Sequence, residues 1–162
     1  MTVLLIVGAV LGVLFTSLST VDFVQHLDRQ VHAIHCSFVP GMPPSTDAES
    51  GCHVALMSPW SSVLRTWVWG GLPVALPGIP LFAFLAFRGI EGWAARGLRD
   101  RAAAAFTFAV SLLPVATSLV FGTIAILELG TFCKTCAGIY VSSFLCAIGA
   151  FGTLIGVWLA PA

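Results

Sequence analysis

The chain has 162 residues, of which 58% are hydrophobic and 9% charged, with seven basic residues balancing seven acidic ones. With a mean hydropathy of +1.00, this composition excludes a soluble globular domain and a disordered chain, and the zero net charge leaves no basic field to attract nucleic acid. In a soluble chain of ordinary composition, about 25% charged, a 21-residue charge-free run has odds of about 0.002 at any given start, yet this chain contains four such runs, residues 1–21, 66–87, 102–127 and 135–162.

Each run supplies the roughly 20 apolar residues that a helix needs to cross a bilayer core of about 30 Å. Transmembrane barrel strands would instead alternate in polarity over segments of about ten residues. The expected fold class is therefore all-α, an integral membrane four-helix bundle forming a single domain, with spans at about 1–21, 67–87, 102–127 and 134–160. Ser17-Leu18-Ser19 loosely resembles a signal-peptide cleavage site, but no Lys or Arg precedes Arg29, so the first run reads as an uncleaved helix.

After the first span comes a long loop, 22–66, holding all four histidines, Cys36, Cys52, and Pro40, Pro43, Pro44 and Pro59. Val21, Val24, Leu27, Val31 and Ile34 recur at helical spacing, so the first helix is expected to continue outward as an amphipathic stretch. Gly41-Met42-Pro43-Pro44-Ser45 breaks regular structure, and Val54–Met57 reads as one helical turn before Ser58-Pro59.

The second span carries Pro73, Pro77 and Pro80, and the third carries Pro114. Interior prolines free backbone carbonyls, which a membrane tolerates only where protein or water satisfies them. Kinks there make room for a ligand. The connection 88–101 holds four arginines, against two in the much longer first loop. That density makes 88–101 cytoplasmic and puts both termini inside, with the long loop outside. Trp60, Trp67 and Trp69 near outer ends, and Trp93 and Trp158 near inner ends, agree with this sidedness. In the last span Gly149, Gly152 and Gly156 read as close-packing positions.

The five cysteines carry the chemistry. Cys133-Lys134-Thr135-Cys136 places two sulfurs one helical turn apart, at the start of the fourth helix. There the helix dipole and Lys134 both favour a thiolate at Cys133. On its own a CxxC serves redox chemistry, metal binding or neither. Cys36 and Cys52 form a second pair: as a structural disulfide they would close a loop contributing about 3 kcal/mol, and as a mobile pair they would exchange with Cys133. His32, His35, Cys36, Cys52 and His53 also offer a zinc-ligand set. Cys146, inside the last span, reads as a packed free thiol.

A loop cysteine pair after the first helix, followed by a CxxC opening the fourth, resembles the vitamin K epoxide reductase family, including its bacterial disulfide-forming homologues. Gly51-Cys52-His-Val-Ala-Leu-Met-Ser58-Pro-Trp60 looks like the family's cysteine followed six residues later by serine and then an aromatic. Gly71-Leu72-Pro73-Val74-Ala75 resembles the bacterial stretch that opens the second helix. Tyr140, the only tyrosine in the chain, falls four residues after Cys136, where vertebrate members carry a tyrosine at the quinone pocket. Two departures stand out. The chain has no asparagine, so the vertebrate donor to the quinone ring is missing, and the spacing from Cys36 to Cys52 is longer than usual in the family. The thioredoxin-like domain fused to many bacterial members is absent from these residues, which implies a separate thioredoxin-fold partner outside the cytoplasm.

The resemblance implies a relay in the plasma (inner) membrane. The partner would reduce Cys36/Cys52, exchange would carry the electrons to Cys133/Cys136, and Cys136 would reduce a quinone of ubiquinone or menaquinone type. Tyr140 and Ser58 would bind and shape the quinone pocket. Two alternatives remain open: a vitamin K epoxide or quinone reductase on the same cysteines, and a non-catalytic four-helix scaffold braced by a loop disulfide.

Overall fold

The structure, a computed structural model, describes residues 1–27, 54–56, 58–64, 71–94, 100–130 and 133–159. Its four long helices are α1 (Thr2–Leu27), α2 (Gly78–Ala94), α3 (Arg101–Leu127) and α4 (Lys134–Leu159). They run alternately up and down, so one end of the bundle gathers the cysteine turn and the loop segments. The other end gathers Trp93, Arg101 and Trp158. There the Arg101 guanidinium lies 5.3 Å from the centre of the exposed Trp158 ring, a pairing suited to an interfacial belt.

The burial pattern is that of a bundle dissolved in lipid. Val3, Val7, Val10, Leu14, Leu18 and Val21 form an exposed aliphatic stripe along α1, whereas Thr16, Thr107, Ser111, Ser142 and Ser143 are almost wholly buried. Lipid tails are as apolar as leucine, so nothing drives large aliphatic side chains inward, and small residues that let helices approach take the interior instead. The buried hydroxyls bond back to carbonyls of their own helices, as Thr16 does to Gly12 at 2.7 Å and Ser142 to Gly138 at 2.7 Å. Ser118 also donates across the α3–α4 interface to Ser143 at 3.0 Å.

α1 is central, packing against both α4 and α2, and α4 packs in turn against α3. Glycines set the spacing. A Cβ on Gly149 would stand 2.6 Å from the Leu5 amide nitrogen, and one on Gly12 would stand 2.3 Å from the Phe82 ring. The expected close-packing role thus falls to Gly149 and to Gly152, which faces Met1, while Gly156 borders open space and does not share it. Cys146 is fully buried in the core with Leu5, Ala9, Phe82 and Leu85, the packed thiol expected.

The second element differs from its expected span. The charge-free run starts at residue 66, but α2 starts at Gly78 and continues past Arg88 to Ala94. Among the described residues three helices, α1, α3 and α4, are long and apolar enough to cross a membrane. α2, with 17 residues, spans about 25 Å. Prolines explain the late start. Leu72–Pro73 (β2) pairs antiparallel with Ser62–Val63 (β1), and successive turns, Leu76 N–H to Pro73 O and Gly78 N–H to Ala75 O at 3.0 Å each, lead into the helix. Pro77 precedes α2 and Pro80 lies in its first turn, where an amide would lack an intrahelical partner anyway. Of the four prolines expected inside spans, Pro114 in α3 is the one that lies in a helix beyond its first turn. At the other end Arg88 forms an ion pair with Glu91 one turn on and bonds to Thr107 of α3 at 3.2 Å. With its charge answered in this way, the helix carries Arg88 and Glu91 instead of yielding them to the following loop.

Candidate functional site

α3 ends with the Glu128 and Leu129 amides both reaching the Ile124 carbonyl, at 2.9 and 3.2 Å. Gly130, at φ +59°, then takes the left-handed conformation that stops a helix cheaply. Four residues later α4 begins, and Cys133 caps it. The Ala137 amide bonds to the Cys133 carbonyl at 2.9 Å, and the Cys136 amide points at the Cys133 sulfur at 3.3 Å. Sulfur thus stands where a serine or aspartate oxygen commonly caps a helix.

That geometry holds the Cys133 thiol below its ordinary range. The hydrogen bond from the Cys136 side chain is the largest cause, and the amides of Cys136 and Thr135 add to it. Burial and the nearby Asp22 act in the opposite direction. The expectation assigned part of this effect to Lys134. Its side chain is exposed, and the first-turn hydrogen bonds act instead. Cys136 and Cys146 are free thiols.

Beneath the cysteine turn lies a cavity of about 230 Å³, near the small end of ligand pockets and sized for one compact ring system. All four helices and the loop segments line it. Cys133, Cys136 and Tyr140 face it from α4 and its cap, and Pro114, Thr117 and Ser118 from α3. Pro73 and Pro77 close it from the segment before α2. The expected proline-associated cavity is therefore present, although at Pro73 and Pro77 extended chain and turns make the room, not a helix kink. Most of the wall is apolar, with Phe23, Phe82, Phe121 and Ile139 among its members.

Ser58 also lines the cavity and is buried. Its hydroxyl donates to the Ala55 carbonyl at 2.8 Å, holding the helical turn at 54–56 that the sequence leads one to expect. Ala55 and Leu56 pack against Cys133, as does Cys136. Trp60, in the 3₁₀ turn Pro59–Ser61, donates its indole N–H to Glu128 at 3.0 Å, so the loop segment is tied to the end of α3 beside the cysteine turn.

Four of the six expected site residues, Ser58, Cys133, Cys136 and Tyr140, thus meet at one cavity. Cys36 and Cys52 lie outside the described residues, as do His32, His35 and His53 of the alternative zinc set. Among the described residues no three His, Cys, Asp or Glu side chains converge as a metal site. One residue at the cavity was missed. Asp22 is 5% exposed and faces the cavity from α1 with Thr16 and Ser19. The spacing of three along one helical face was a readable signal, but Asp22 also ends the first charge-free run and so reads as a mere span boundary.

No curated protein matches the chain significantly. A family model described as the vitamin K epoxide reductase family matches residues 3–151, most of the chain. A helical membrane bundle, a CxxC capping its last helix and an apolar cavity under those sulfurs agree with that match: the chain belongs to the vitamin K epoxide reductase family and is a membrane oxidoreductase of quinone-related chemistry.

Proposed function

We propose that this protein is a quinone-dependent thiol oxidoreductase that generates disulfides outside the cytoplasm. A reduced thioredoxin-fold protein delivers two electrons to the Cys36/Cys52 pair. Thiol–disulfide exchange passes them to Cys133/Cys136, and Cys136 reduces a ubiquinone- or menaquinone-type ring in the cavity. The observation that carries this reading is the convergence of Cys133, Cys136 and Tyr140 on one mostly apolar cavity. A lipid-soluble ring enters such a site readily, and the Tyr140 hydroxyl provides a donor for a ring oxygen.

The packing of Ala55 and Leu56 on Cys133 supports the exchange step. Cys52 stands three positions before Ala55, a tether of roughly 10 Å at full extension. We therefore assign Cys52 the exchange with Cys133 and Cys36 the contact with the partner. The arginine-rich connection after α2 favours the cytoplasmic side for that end, which puts the cysteine turn on the outer face of the plasma membrane.

Purified protein given a reduced thioredoxin-fold protein should reduce a soluble quinone, read from the quinone's ultraviolet absorbance. Full activity in a Cys133→Ala/Cys136→Ala double variant would sink the proposal. Vitamin K epoxide supplied in place of the quinone should remain unchanged, and its reduction would favour the epoxide-reductase alternative.

A further inference from the structure

Asp22 is an ionisable side chain within a membrane-spanning helix, buried to 5% exposure, on the wall of an otherwise mostly apolar cavity. Desolvating a carboxylate there is costly, so such a residue is retained where it has a task and a partner. Other groups able to carry a proton share that wall. The titratable groups lining the cavity besides Asp22 are Cys133, Cys136 and Tyr140, all from α4 and its cap. Among the described residues α2, α3 and the loop segments bring none to it. Asp22 is also close enough to Cys133 for its negative charge to oppose the thiolate. The Asp22 charge therefore acts on Cys133 at a cavity wall that both side chains share.

Building on the thiol–quinone reading above, we propose that Asp22 is a catalytic proton carrier, moving a proton between the Cys133 thiol and a quinone oxygen. When the dithiol is oxidised, an S–S bond forms, and two S–H bonds give up one electron pair and two protons. The quinone gains that pair and both protons. The Asp22 carboxylate takes the proton of Cys133 as the sulfur becomes bonding, then delivers it to the nearer ring oxygen. The proton of Cys136 goes to the other oxygen. Asp22 ends ionised, as it began, and no further oxidant or reductant is needed.

The test uses the full chain in detergent or reconstituted vesicles, with a soluble dithiol as reductant and a short-chain quinone as acceptor. Asp22→Asn keeps the side-chain shape and removes the proton-carrying function. It should lower kcat about 10²–10⁴-fold, with the quinone KM changed less than about threefold, and Asp22→Glu should recover much of the loss. Independently of any quinone, the pH midpoint for alkylation of Cys133 should move to lower pH in Asp22→Asn, because the opposing charge is gone. Wild-type kcat in Asp22→Asn overturns the proposal. So does a loss carried by KM with an unmoved alkylation curve, which marks Asp22 as shaping the cavity only. If the wild-type protein reduces no quinone, the thiol–quinone reading fails, and proton transfer to the ring falls with it. The alkylation shift then still separates an Asp22–Cys133 proton-sharing pair from its absence.

Discussion

At Cys133 one sulfur caps a helix and, in the proposed relay, also carries out thiol–disulfide exchange. The cap geometry aims the Cys136 amide at the sulfur, and the Cys136 thiol supplies the strongest influence that favours the thiolate. Changing Cys136 to alanine removes that thiol while leaving the backbone amides. Burial and Asp22, which both disfavour the charge, then gain weight. The Cys133 pKa should rise in Cys136→Ala, and alkylation at pH 7 should slow by roughly tenfold for each pH unit of rise. A rate-versus-pH series with a small maleimide checks this, and an unmoved midpoint would mean that the amides alone set the thiolate. Asp22 and Cys136 thus act on the same sulfur with opposite signs, so Asp22→Asn and Cys136→Ala should move its titration in opposite directions.

Among the helices, α1 and α4 approach so closely that a glycine faces backbone. A methyl at Gly149 would meet the Leu5 nitrogen at 2.6 Å, and backbone cannot step aside as a side chain can. Gly149→Ala should push the two helices apart and cost about 1–3 kcal/mol, the range for overpacking a tight interface. Gly156→Ala, three residues past Thr153 on the same helix and facing open space, should change stability by no more than about 0.5 kcal/mol. Unfolding midpoints in detergent compare the two. Similar losses at both positions would indicate that helix propensity, not contact, controls this stretch. Pro114 belongs to the same scale: it removes a backbone amide from within α3 where that helix borders the cavity, at a site rather than on a lipid-facing surface.

For the whole molecule, the unequal ends set the direction of the chemistry. Loop segments, the cysteine turn and the cavity mouth share one end, and Arg101, Trp93 and Trp158 share the other. Positive charge retains a segment in the cytoplasm, so a reporter enzyme active only outside the cytoplasm should be silent when fused after Leu159 and active when inserted at Gly130. The reverse pattern would place the cysteine turn inside, where reducing conditions oppose disulfide formation. In the proposed relay, the same end-to-end asymmetry would bring electrons from a water-soluble partner and a quinone from lipid to one pair of sulfurs.

Resemblance to the family, not composition, singled out Ser58 and Tyr140; composition, charge spacing and the CxxC were enough to determine that the chain lies in a membrane, that it is helical, and that Cys133 and Cys136 merit chemical attention. Those are properties of solvent and of local geometry: lipid demands long apolar helices with satisfied backbones, and a CxxC holds its sulfurs together wherever it falls on a helix. The start of α2 was not legible, because an apolar run has the same composition whether it is helix or strand. The pairing of Leu72–Pro73 with Ser62–Val63 and the turns that follow it distinguish residues 72–77 from helix. Nor could the sequence separate Gly149 from Gly156, which differ only in what the neighbouring helix places opposite them. Asp22 was hidden for the same reason. A charge at the end of an apolar run marks a boundary, and only helix packing shows that it is buried on the wall of a cavity that Cys133 also lines.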